Sequence, residues 1–193
     1  MHARATAACT TALLLALTAC SSTQDDKPAV SPSPSTAQSS ASASASPSAT
    51  RAAPLAFGQT VTTSAAQDGS VATATVIGYQ QGVRAQQSAD EENGTDGYVW
   101  AALELKVCST KGTVSTSRFP WVLSYTDGTR IEPSGTTFGD FPKPEYPWEA
   151  TVKEGDCVRG KTVYAVPSAQ RPAKALYTTK LLPEPAEWTV PAT

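Results

Sequence analysis

Gly155-Asp156-Cys157-Val158-Arg159-Gly160-Lys161-Thr162-Val163-Tyr164-Ala165-Val166-Pro167 decides the fold, because strand signal, face alternation and a candidate crosslink meet in it. Val158, Gly160, Thr162, Tyr164 and Val166 share one parity, and Cys157, Arg159, Lys161, Val163 and Ala165 the other. Successive side chains of a strand point to opposite faces, so the first set is expected inside and the second largely solvated. Gly155-Asp156 opens the strand and Pro167, with no donor for a ladder, stops it.

A partner for this strand lies upstream, in Gly97-Tyr98-Val99-Trp100-Ala101-Ala102-Leu103-Glu104-Leu105-Lys106-Val107-Cys108. Here Val99, Ala101, Leu103, Leu105 and Val107 alternate with Trp100, Ala102, Glu104 and Lys106, and each strand carries a cysteine at one end. Other strands follow from turn chemistry. Asp68-Gly69 joins Thr60-Val61-Thr62-Thr63 to the Val- and Thr-rich run Ser70 to Tyr79, and Asp127-Gly128 joins Trp121 to Thr126 with Thr129 to Glu132. Phe119, Trp121, Leu123 and Tyr125 share a face expected to pack in the core. Ala173 to Thr178 and Trp188-Thr189-Val190 read as closing strands. No stretch shows helical periodicity, and Gln80 to Asp96 reads as a solvated connecting loop; its acids do not fit the spacing of a calcium-binding EF-hand. Seven to nine short strands make an all-β sandwich the expected architecture.

The chain before residue 55 is different material. Met1 to Ala19 has a short amino-terminal region with His2 and Arg4, then an apolar run through Leu13-Leu14-Leu15-Ala16-Leu17, the pattern of a signal peptide. Leu17-Thr18-Ala19-Cys20 resembles the lipobox of bacterial lipoproteins, which implies a diacylglycerol thioether at Cys20 and a membrane partner reached through that anchor. The alternative is a plain secretory cleavage site. From Ser21 to Pro54 there are 11 Ser, 8 Ala, 5 Pro and 3 Thr, with Val30 the only large aliphatic. Such a composition does not offset the entropy of ordering, so residues 20–54 are expected to form a disordered tether spanning about 30 Å as a coil. The domain is then 55–193.

That domain carries 12 Lys and Arg against 15 Asp and Glu, without a basic cluster, which speaks against nucleic acid. Of four cysteines only Cys108 and Cys157 fall inside it, and two cysteines in an exported domain normally pair. Closing a loop of about 50 residues stabilises by about 4 kcal/mol in the chain-entropy model. The alternative is two unpaired thiols. Neither cysteine has a histidine or another cysteine nearby in sequence, so no metal site is expected. Both lie on the parity opposite the apolar residues of their strands, which predicts a peripheral bridge tying strand ends.

Ser134 to Trp148 is the segment with a candidate site. Phe138, Phe141, Tyr146 and Trp148 are interleaved with Pro142, Pro144 and Pro147 and the acids Asp140, Glu145 and Glu149. Two outcomes are open: rings held out on a proline-stiffened loop for a sugar or a partner's side chain, or rings folded back to plug one end of the domain.

The order of these signals, a hairpin, then Gly97-Tyr98-Val99-Trp100, then Asp127-Gly128-Thr129, then Gly155-Asp156 with Val158-Arg159-Gly160 and Tyr164-Ala165-Val166-Pro167, resembles the immunoglobulin-like domain of unknown function found in lipoproteins of Gram-positive bacteria. The resemblance implies a two-sheet immunoglobulin-like sandwich outside the membrane and supplies no catalytic residues or cofactor. Cys108, Trp121 and Cys157 follow the order of the antibody-domain signature, but Gly155 stands where a tyrosine would precede the second cysteine.

Parts for catalysis are few. The only histidine, His2, leaves with the signal peptide, and neither a Gly-x-Ser-x-Gly elbow nor a glycine-rich phosphate loop is present. The expectation is a non-catalytic surface module binding protein or cell-wall polymer. The rivals are a small wall hydrolase using Asp140, Glu145 and Glu149, and a passive surface spacer or antigen.

Overall fold

The computed structural model describes residues 53–192. The signal peptide, Cys20 and the tether up to residue 52 lie outside the described residues. The first elements are β1 (Thr60–Ser64), β2 (Val71–Val83), α1 (Ala89–Asn93), β3 (Tyr98–Lys111), β4 (Val114–Ser117) and β5 (Trp121–Ser124). They are followed by β6 (Arg130–Ile131), β7 (Glu149–Val152), β8 (Cys157–Pro167), β9 (Lys174–Tyr177) and β10 (Ala186–Thr189).

One antiparallel sheet has the order β1-β2-β3-β8 and a second the order β10-β9-β5-β6; among the described residues β4 and β7 pair only with each other. The fold is an all-β immunoglobulin-like sandwich. Both expected hairpins form. At each turn the Asp carboxylate accepts from the backbone N–H two residues on, Ser70 for Asp68 and Thr129 for Asp127, and the following glycine takes positive φ. At the other edge of the fold, Leu55 donates to Glu187 O and accepts from Thr189 N, so the start of the domain is zipped to its last strand.

β3 and β8 pair without a break from Tyr98 opposite Pro167 to Cys108 opposite Cys157. The interior follows the expected parity: Ala101, Leu103, Leu105 and Val107 from β3 meet Tyr164 and Val166 from β8, and Trp121, Leu123, Ala175 and Trp188 close over them from the second sheet. Full burial of each large side chain contributes roughly 1.5–3 kcal/mol. Trp188 also donates from Nε1 to Gln59 O at 2.8 Å, which satisfies its one polar group.

The opposite face of β3 and β8 departs from expectation. Trp100, Ala102 and Val163 are buried there, at 2–4% exposure, instead of solvated. They form a second apolar cluster with Ala89 and Phe141, flanked by Phe138 and Ala165. Its cover comes from the segment expected to be a loop: Ser88 caps α1 through a reciprocal pair with Glu91, and Gly94 ends it in the left-handed region. Trp100 Nε1 donates to Gln87 O at 2.8 Å, fastening the approach to this helix onto the sheet.

Cys108 and Cys157 form a disulfide across directly opposed strand positions, Cα–Cα 4.0 Å. As expected it is peripheral, with Cys157 exposed. Just past it both chains turn back, through Gly112 into β4 and from β7 through Gly155.

Along the outer edge of β8 lies a strap. Ser134 N donates to Val163 O, Lys161 N to Pro144 O and Tyr146 N to Lys161 O, each at 2.8 Å. The strap crosses Gly160 so closely that a Cβ there would sit 2.5 Å from Tyr146 N. Only a glycine admits another backbone at that distance.

Candidate functional site

The strap fixes the fate of the four candidate rings. Phe141, 2% exposed, and half-buried Phe138 turn onto the outer cluster, where Phe141 meets Trp100 edge-on at 5.0 Å between centroids and Phe138 meets Phe141 in the same way. Tyr146, 0% exposed, enters the main core, and its hydroxyl pairs with that of Thr116 at 2.7 Å. These three rings plug the fold, the second of the two outcomes the sequence leaves open, so Phe138, Phe141 and Tyr146 offer no ligand surface. Trp148 alone of the four is exposed, at 36%.

Trp148 has a neighbour that parity assigned wrongly. Phe119 is 54% exposed instead of buried with Trp121, Leu123 and Tyr125. Arg118-Phe119-Pro120 is a turn, closed by Trp121 N donating to Arg118 O, and it rotates Phe119 away from the core stripe. The Phe119 and Trp148 rings lie 5.7 Å apart, tilted by 41°. Behind them the Arg118 guanidinium sits 4.0 Å from the Trp148 ring centroid while donating to Tyr146 O. Buried cations of this kind are held by ring faces and carbonyls together.

Burial pushes the Arg118 guanidinium below its ordinary range, and Glu145 pushes it back up. For Glu145 itself, burial raises the carboxyl, but hydrogen bonds from Lys143 and Thr137 and the charges of Lys143 and Arg118 outweigh it and hold the group below the usual carboxylate range. Glu145 is thus an engaged anion, its carboxylate 4.0 Å from Arg118. Asp140 is exposed, and Glu149 faces a groove.

That groove, about 520 Å³, runs between the β4–β7 ladder and the end of β9. Ser115, Ser117, Thr151, Tyr177, Thr179 and Glu149 supply its polar lining. Pro120 is the wall it shares with a second groove of about 480 Å³, which Phe119 lines. Through Ser115, Tyr177 and Thr179 it continues into a third of about 270 Å³. Among the described residues no group of His, Cys, Asp or Glu could hold a metal ion.

The class defined by this geometry is an immunoglobulin-like sandwich with an exposed aromatic pair beside an open, hydroxyl-lined groove. No protein-family model matches the sequence, and no curated protein does. Among solved structures the chain is similar to MPT63, a secreted protein from Mycobacterium tuberculosis, with a TM-score of 0.55 and 15% identity over 72% of this chain and 98% of that one. At that identity the likeness establishes the fold alone.

Sequence reasoning found Trp148 and missed Phe119. The available signal was Pro120, which breaks a strand and with it any alternation carried across it.

Proposed function

We propose that the protein is an extracytoplasmic lipoprotein, anchored through Cys20, whose immunoglobulin-like domain is a non-catalytic module binding the cell surface, related to the domains of unknown function in Gram-positive lipoproteins that it resembles. The observation that carries the binding role is the Phe119–Trp148 pair, two large rings left in solvent with a buried cation stacked behind one of them. Large aromatics seldom remain exposed together unless something covers them. The disulfide and the fold shared with a secreted protein support the compartment.

Two measurements test this reading. Cys20→Ser should abolish palmitate labelling and release the protein from the membrane fraction; retention of both would remove the anchor. Purified full chain should be retained on cell-envelope material, with Phe119→Ala and Trp148→Ala each weakening retention about tenfold, near 1.4 kcal/mol. Unchanged retention in both variants would remove the aromatic pair from the function.

A further inference from the structure

We infer that the groove beside the aromatic pair is a binding site for a neutral polysaccharide strand, an inference that rests on the binding-module reading above and names its ligand class. Three features of the site converge on that chemistry. The first is its length: the three grooves share walls, the central one joining its neighbours through Pro120 on one side and through Ser115, Tyr177 and Thr179 on the other. Grooves joined wall to wall in this way suit a polymer of several units, and the central volume of about 520 Å³ lies in the ordinary range for a bound small unit.

The second is the lining. Hydroxyls of Ser115, Ser117, Thr151 and Thr179 each donate one hydrogen bond and accept two, which matches a sugar hydroxyl in both roles. Glu149 adds a carboxylate able to accept from two adjacent sugar hydroxyls. Among the described residues no Lys, Arg or His lines the central groove, where Glu149 would repel a phosphate- or carboxylate-bearing polymer; of the flanking grooves one carries Arg130 balanced by Glu132 and the other Asp68.

The third is the rim. Phe119 lines the second groove, which shares the Pro120 wall with the central one, and the exposed Trp148 ring lies 5.7 Å from the Phe119 ring. One face of the Trp148 indole is taken by Arg118, which fixes the ring, and its remaining exposure offers a flat apolar surface for the C–H face of a pyranose. An extended peptide is the competing occupant, because β4 pairs only with β7 and has a second edge. The hydroxyl-rich walls favour the sugar, since strand addition draws its specificity from side-chain pockets.

Trp148 is also the reporter. The other three tryptophans, Trp100, Trp121 and Trp188, are at most 2% exposed, so acrylamide quenching reads Trp148. Purified full chain is titrated with hexamers of β-1,4-linked N-acetylglucosamine, β-1,3-linked glucose and α-1,6-linked mannose, with deproteinised cell-wall polysaccharide, and with an extended Val-Thr peptide. The expected result is that at least one glycan shields Trp148 from acrylamide, that Glu149→Gln weakens it about tenfold, and that Thr151→Arg, which fills the groove from an exposed position, abolishes it with an unchanged melting temperature. Shielding by the peptide and by no glycan overturns the inference. Failure of every glycan, with Trp148-dependent retention on protein-bearing envelope, also overturns it and leaves the binding-module reading standing. Retention that does not depend on Trp148 overturns the inference and removes the aromatic pair from the function, and no retention on any envelope material overturns both readings.

Discussion

Replacing Gly160 by alanine puts one methyl group where the strap crosses β8. Its backbone is not in the left-handed region, so alanine is conformationally acceptable and the effect is steric. The added Cβ would meet Tyr146 N at 2.5 Å and the Glu145 carbonyl carbon and oxygen at 2.6 Å, all backbone atoms that no rotamer change can move aside. Two responses compete. If the strap stays, overpacking costs about 1–3 kcal/mol. If it lifts, the bonds Lys161 N to Pro144 O and Tyr146 N to Lys161 O are lost at about 1 kcal/mol each, with the Thr116–Tyr146 hydroxyl pair and part of the Tyr146 burial, for a total of about 5 kcal/mol. The cheaper response sets the outcome, so Gly160→Ala should destabilise by about 3 kcal/mol and lower Tm by about 10 °C. The control is Gly78→Ala in β2, where an added Cβ meets nothing within 4 Å; it should stay within about 0.5 kcal/mol of wild type. Urea unfolding followed by circular dichroism measures both. Equal stability of the two variants would refute the close-crossing account of the strap.

Reduction with dithiothreitol, or the Cys108→Ser/Cys157→Ser double variant, should cost about 4 kcal/mol for a 49-residue separation, read as a lowered urea midpoint; a loss under about 1 kcal/mol would show that the bridge constrains little. Burial raises Tyr125 and Tyr146 to about 12, and raises Tyr79, Tyr164 and Tyr177 as well. These phenols hold their protons more tightly folded than unfolded, so their contribution is complete below the unfolded value of about 10 and is lost as pH climbs through the folded values. Tyrosinate absorbance at these positions should therefore appear together with unfolding above pH 10, and a reversible titration of all tyrosines in the native state would contradict it. Glu145 is shifted the other way, so its contribution is present above the unfolded carboxyl value of about 4.3 and is lost as pH falls through it and the lower folded value. Glu145→Gln should cost about 1.5 kcal/mol at pH 7 and converge with wild type in acid; a pH-independent difference would assign the loss to packing.

The paired strands β3 and β8, both hairpin turns and the peripheral bridge were legible because each rests on a local signal: alternation, an Asp-Gly turn, or the parity of a cysteine. What covers a face was not. Alternation separates Trp100 and Val163 from Leu103 and Tyr164, but it does not say that α1 and Phe141 lie over the first pair. The helix did leave a mark in Ser88-Ala89-Asp90-Glu91, the spacing of a capping box, yet five residues are too few for periodicity. Gly160 stood in the sequence only as one of the inner-parity residues; a glycine inside a strand can mark a close backbone approach, but nothing local says that one occurs or whose backbone arrives. The β4–β7 ladder was the least readable, since Val114-Ser115-Thr116-Ser117 offers one apolar residue and no alternation, and its place follows from the chain reversal beyond the disulfide.

That disulfide also makes a closed ring of residues 108–157, and the ring contains Arg118, Phe119, Trp148 and the β4–β7 wall of the groove. A protease that cuts once anywhere within it produces two fragments that stay bolted together through sulfur. Nicked molecules should run as one species on a non-reducing gel and as two after reduction, and when the cut falls between Phe119 and Trp148 the halves bearing the two rings stay joined in an oxidising medium.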